Sequence, residues 1–218
     1  MQRILEMWID ESPKYKQVET RVRFTGTPKK PHFDMFHGKP WSRGTSLTGF
    51  TRIRPAAIPE TAGVNTRIYA NERELVLGID VKKGGLPVVT HPSSDRNTCS
   101  TGDFIELFFE ADRASYRHFM LAADGTRNKA VVSDGSRDCK WESRVEKTKE
   151  GWRAIVVIPF SSLQFEPNVN PQLRFFERVS LGLPSRNVKC GAFGWQNGVP
   201  HTPSTWGTLF VSSSDASN

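Results

Sequence analysis

Three side chains able to hold charge or share protons fall at positions that alternation would place on one surface: Glu106, His118 and Arg178. Along Phe104-Ile105-Glu106-Leu107-Phe108-Phe109, the residues Ile105, Leu107 and Phe109 form one apolar face, and Phe104, Glu106 and Phe108 form the other. Over 172–182, Leu173, Phe175, Val179 and Leu181 share a face with Glu177, leaving Arg174, Phe176, Arg178 and Ser180 opposite. Over 115–121, Phe119 and Leu121 look inward while His118 and Met120 look outward. If these strands share a sheet, its outer face carries a carboxylate, a guanidinium, an imidazole and the rings of Phe104, Phe108 and Phe176. A polyhydroxylated ligand such as a sugar needs that mixture: flat apolar surface for its C–H faces and fixed polar groups for its hydroxyls. The same residues also read as an ordinary cross-strand ion pair, which contributes about 0.2–1 kcal/mol, with Phe104 and Phe176 packed beneath a loop.

Catalysis fits less well, and the chain reads as a non-enzyme. Glycoside hydrolysis needs two carboxylates about 5–10 Å apart in a cleft. Glu106 and Glu110 lie four apart on one strand face, which separates them by about 13 Å. No Gly-x-Ser-x-Gly elbow, Walker A loop or His-Glu-x-x-His helix is present. The histidines, His32, His37, His91, His118 and His201, are scattered without a zinc spacing. Asp95, Asp103, Asp134 and Asp138 could offer loop oxygens to a structural calcium, although no EF-hand spacing occurs.

The elements that must position these groups are short strands. Alternation marks strands near 18–24, 65–70, 75–81, 103–110, 115–122, 128–133, 141–147, 152–159, 172–182, 193–195 and 206–211. Residues 25–63, rich in Gly, Pro and Thr, read as long loops with short strands, residues 82–102 as a long loop, and Ser161-Ser162-Leu163 as a single helical turn. Helical periodicity is nearly absent. The expectation is an all-β fold, one antiparallel β-sandwich of immunoglobulin or jelly-roll type spanning 1–218, with its core at about 15–212.

Bulk properties are compatible with that fold. The 218 residues suit one large β domain, and 14 Phe and 6 Trp supply large buried areas to a chain only 37% hydrophobic. Of the net charge of +7, residues 1–54 carry 11 Lys/Arg against 5 Asp/Glu. These basic residues are dispersed, not interleaved with aromatics, and no nucleic-acid motif accompanies them, so a solvated basic edge is expected and no nucleic-acid partner. No apolar run approaches a membrane span, and no secretory signal is visible at the start. Cys99, Cys139 and Cys190 form no Cys-x-x-Cys pair and read as ordinary unpaired thiols, although one disulfide is possible.

Several fragments in order resemble the family 9 carbohydrate-binding modules and their DOMON-like β-sandwich relatives. They are Gly38-Lys39-Pro40-Trp41, the hairpin Thr66–Ala70 with Leu75–Ile79, and Asp103-Phe104-Ile105-Glu106 as the Asp-x-x-Glu strand of the binding face. Trp152 to Phe160, Phe176-Glu177-Arg178 and Pro203-Ser204-Thr205-Trp206-Gly207-Thr208-Leu209 follow. The resemblance implies a non-catalytic sugar-binding module of the extracellular space or cell envelope. Its ligand residues would be Glu106, Arg178, His118, Phe104, Phe176 and Trp195, with a saccharide as partner and no cofactor beyond the possible calcium. Sugar-binding members clamp the sugar between two Trp residues. This chain has Ser100-Thr101-Gly102 and Pro200-His201-Thr202 at those places, and Trp195 is the Trp nearest the second. A haem-binding electron-transfer domain and a structural accessory module are the alternatives, and the oligomeric state is not indicated.

Overall fold

A computed structural model describes residues 19–24, 33–53, 58–90, 102–112, 115–127, 131–132, 139–183, 191–195 and 198–212. Among the described residues, thirteen strands form two sheets. They are β1 (Glu19–Arg23), β2 (Thr45–Leu47), β3 (Phe50–Ile53), β4 (Ala62–Ala70), β5 (Glu74–Lys83), β6 (Phe104–Glu110) and β7 (Tyr116–Ala122). β8 (Val131–Val132), β9 (Glu142–Lys147), β10 (Gly151–Pro159), β11 (Gln172–Leu181), β12 (Gly191–Trp195) and β13 (Gly207–Ser212) complete the set. The larger sheet runs β1-β13-β11-β6-β7-β8, with β12 joining β11 to β3; the smaller runs β2-β4-β5-β10-β9. Two short helices, α1 (Gly38–Arg43) and α2 (Phe160–Leu163), complete the elements used below. The all-β sandwich expected from alternation is therefore what the chain forms. One feature departs from it: β1 runs parallel to β13. Membrane-spanning helices are absent among the described residues.

The core lies between the sheets because one residue in two points there. Leu75, Leu77, Ile79 and Val81 of β5 stand opposite Ile158, Val156, Ala154 and Trp152 of β10, all buried. They meet Ile105, Leu107, Phe109, Leu173, Phe175 and Val179 from the larger sheet. Glu177 is the exception among these apolar residues. Its side chain is fully buried, one carboxyl oxygen accepts a 2.8 Å hydrogen bond from the Thr66 hydroxyl across the sandwich, and the other has no partner. Burial pushes this carboxyl up to about 8, and the Thr66 bond only partly opposes that.

At one end of the sandwich a buried ion pair ties the layers together. Lys83 Nζ lies 2.7 and 2.9 Å from the two Asp103 oxygens and donates to the Gly182 carbonyl at 2.7 Å. The backbone N–H groups of Val89 and Gly182 also donate to Asp103, at 2.6 and 3.0 Å. The last residue of β5, the residue before β6, the loop after β5 and the residue after β11 are thus joined by two fully buried side chains.

Each sheet also has a covered outer face. Over the smaller sheet, Met35, Phe36 and Trp41 pack on Tyr69, Val76 and Ile155. A side chain at Gly78 would meet the Trp41 ring at 2.8 Å, so that glycine makes room for the indole. Trp41 and Phe36 stack at 4.7 Å, Arg67 sits over Trp41 at 5.3 Å and Arg153 over Phe36 at 5.2 Å. The result is a pair of stacked rings with a cation at each end. Buried Tyr69, its phenol pushed up to about 12 chiefly by burial, donates to the Trp41 carbonyl.

Candidate functional site

The outer face of the larger sheet is built in rows, because β11, β6 and β7 are paired antiparallel in a register that aligns like with like. Arg178 stands opposite Glu106, and Glu106 opposite Met120. The next row holds Phe176, Phe108 and His118, and the next Arg174, Glu110 and Tyr116. A Glu–Arg pair therefore flanks each side of an aromatic row.

Glu106, His118 and Arg178 come together as alternation predicted. One Glu106 oxygen lies 3.1 Å from Arg178 Nη1 and the other 3.2 Å from His118 Nε2. The Glu106 and His118 side chains are 9% and 7% exposed, but that of Arg178 is 31% exposed and is the part of the triad that reaches solvent. Arg178 Nε is buried without a hydrogen-bond partner among the described residues. The arrangement holds a carboxylate from two sides and aims an incompletely used guanidinium outward. Such a group can donate to hydroxyl or carbonyl oxygens.

The aromatic members fare differently. Phe176 is fully buried, because the segment 198–206 lies across it: a side chain at Gly198 would come within 2.5 Å of the Phe176 ring. Phe108 is buried among Phe176, Trp206, His118 and His201. Phe104 is 6% exposed and packs with Met120 and Ala122. Trp195 is fully buried on the inner side, 5.4 Å from Phe175, with its indole N–H donating to the Thr48 carbonyl. Phe176 and Trp195 thus offer no open platform. Their rings support the site from beneath or belong to the core.

Two residues outside the predicted set sit at its centre. His201 is exposed, in a left-handed backbone conformation (φ 60°). Its Nδ1 is 2.8 Å from the Tyr116 hydroxyl, and its ring meets His118 edge-on at 5.3 Å. Trp206 closes the row and donates to the Val199 carbonyl. The signal for His201 was its place in Pro200-His201-Thr202, but no periodicity assigns a loop residue to a sheet face.

Asp103, the first residue of the Asp-x-x-Glu strand, points into the Lys83 pair rather than to this face. His118 is stacked flat on Phe108 at 4.2 Å with Nε2 engaged by Glu106, which leaves that nitrogen no room for a haem iron. Among the described residues, no group of three or more His, Cys, Asp or Glu side chains could hold a metal ion. Asp95, Asp134, Asp138, Cys99 and Cys190 lie outside the described residues, and Cys139 is half-buried against the core.

No protein-family model and no curated protein matches this sequence. Solved structures do match in shape. A carbohydrate-binding module of family 9 from Caldicellulosiruptor kristjanssonii, solved with cellotriose, superposes with a TM-score of 0.65 over 92% of this chain and 98% of that one, at 14% identity. The same module solved with glucose gives the same score over 99% of its length. The fold is that of the family 9 carbohydrate-binding modules. A Bacteroides uniformis protein described as a candidate carbohydrate-binding protein superposes at 13% identity with a TM-score of 0.61, over 90% of this chain and 100% of that one.

Proposed function

We propose that this chain is a non-catalytic carbohydrate-binding module that takes a saccharide on the outer face of its larger sheet. Glu106, Arg178 and His118 supply the polar contacts, with Phe104 and Phe176 shaping the surface beneath them. The observation that carries the reading is the buried Glu106 carboxylate gripped by His118 and Arg178, whose guanidinium is the member that reaches solvent. The family 9 fold, in a protein solved with cellotriose and with glucose, supports the ligand class.

The test is a panel of neutral mono- and oligosaccharides including glucose and cellotriose, followed by calorimetry. The wild type is expected to bind, and Arg178→Ala to lose binding at an unchanged thermal midpoint. No saccharide bound at millimolar concentration would leave a structural accessory module as the reading.

A further inference from the structure

The second Glu–Arg pair opens onto a hollow of about 270 Å³ on the same outer face. Glu110, Asp112, Asn170, Gln172, Arg174 and Thr208 line it. We propose that this hollow is a second saccharide subsite, one that grips a sugar by its hydroxyl edge and so makes the protein an oligosaccharide binder.

The hollow is held rigid from behind. Glu110, 8% exposed, lies 3.5 Å from Arg174 Nε, and Arg174 Nη1 donates to the Pro203 carbonyl at 3.1 Å. One Asn170 oxygen is fixed by the Gln172 N–H at 3.0 Å, and one Asp112 oxygen by the Ser115 N–H at 3.1 Å. The front of the hollow is uncommitted. Thr208, only 9% exposed, makes no hydroxyl hydrogen bond to any described residue, and neither does the Gln172 carboxamide nor the Asn170 amide nitrogen. Thr208 is nine-tenths buried as a residue while its hydroxyl is not sealed, so the hydroxyl opens into the hollow and is placed to meet a ligand there.

The lining decides the ligand class. It has acceptors from two carboxylates, donors from a guanidinium and two carboxamides, and a hydroxyl able to do both. Among the described lining residues one arginine stands against two carboxylates, which gives an anion no net attraction. Ala111 is the sole apolar residue among the described lining residues, and no ring stands there for a sugar face to stack on. A neutral polyol held edge-on is what remains, and the volume lies just below the usual range for small-ligand pockets, enough for one sugar unit.

Glu110 is four residues from Glu106 on β6, so the two pairs are separated by about 13 Å, with the exposed His201 ring between them. A monosaccharide cannot touch both, whereas an oligosaccharide crossing over the 198–206 segment at the exposed His201 ring can. The inference rests on the reading of the Glu106–Arg178 site as a sugar site.

Calorimetry with glucose and with cellotriose tests it, on the wild type, Arg178→Ala, and the double variant Gln172→Ala/Thr208→Val. Losing one or two hydrogen bonds should weaken cellotriose about tenfold in the double variant while glucose stays unchanged. The Asn170 and Gln172 side-chain amide resonances of the wild type should shift with cellotriose and not with glucose. Equal cellotriose affinity in wild type and double variant, with binding lost in Arg178→Ala, overturns the hollow alone. Failure of the wild type to bind either sugar overturns both sites.

Discussion

Asp103 and Glu106 are three residues apart at the start of one strand, and both carboxylates are buried, but they face opposite sides of the sheet and do different work. Asp103 is closed on every side by its own chain: two contacts from Lys83 and two backbone N–H groups. Burial pushes its carboxyl upward and Lys83 pulls it back. Glu106 has two side-chain partners, and one of them, Arg178, reaches water. The difference teaches how to sort buried charges. A pair in which both heads are sealed holds elements together, whereas a pair with one head exposed holds a donor in place for something that arrives from outside.

The largest expected effect is on the sealed pair. Lys83→Met leaves Asp103 buried without its countercharge and should cost about 3–5 kcal/mol, read as a lower midpoint in urea unfolding. A loss under 1 kcal/mol would show that Asp103 is not sealed in solution.

Glu177 takes the comparison to its limit, a sealed carboxylate with a hydroxyl as its one partner. Its folded-state value of about 8 lies above the ordinary 4.5, so the folded state retains a proton that the unfolded chain releases. Stability should therefore fall as pH rises from about 4.5 to about 8 and level off above that. Glu177→Gln should remove this slope and stabilise the protein at alkaline pH by a few kcal/mol. Parallel pH–stability curves for the two proteins would refute the assignment.

The exposed-head pair should respond in the opposite way. Arg178→Ala should change stability by no more than about 1 kcal/mol, since a third of that side chain is already in water. It should nevertheless abolish saccharide binding. Glu106→Ala is the less clean variant, because it strips a partner from His118 and Arg178 together. The smallest effect is expected for Glu106→Gln, which keeps the carboxamide oxygen for Arg178 and weakens binding without unfolding.

Much of this was legible in the residues. The alternation of β6, β7 and β11 assigned inner and outer faces residue by residue, including Glu177 on the core side, because one residue in two must meet the other sheet. Most strand positions followed from the same periodicity, and the helical turn read at 161–163 lies within the observed Phe160–Leu163. A loop over Phe176 was among the readings, but the residues that form it were not legible. Gly198, His201 and Trp206 reach the outer face through a loop, and loops carry no period from which a contact can be read. Lys83 was hidden for another reason. A lysine after an apolar run reads as solvated, and only the arrival of Asp103 and the Gly182 carbonyl from distant segments makes its burial tolerable.

The parallel pairing of β1 with β13 has a mechanical consequence. Glu19 lies beside Thr208 and Arg23 beside Ser212, so the two strands run side by side in the same direction. Tension entering at Glu19 and leaving at Ser212 pulls these neighbours in opposite senses along their length. The hydrogen bonds between them are then loaded together in shear, rather than opened one after another from an end. Pulled from those two points, the sandwich resists at the seam where its first and last strands meet.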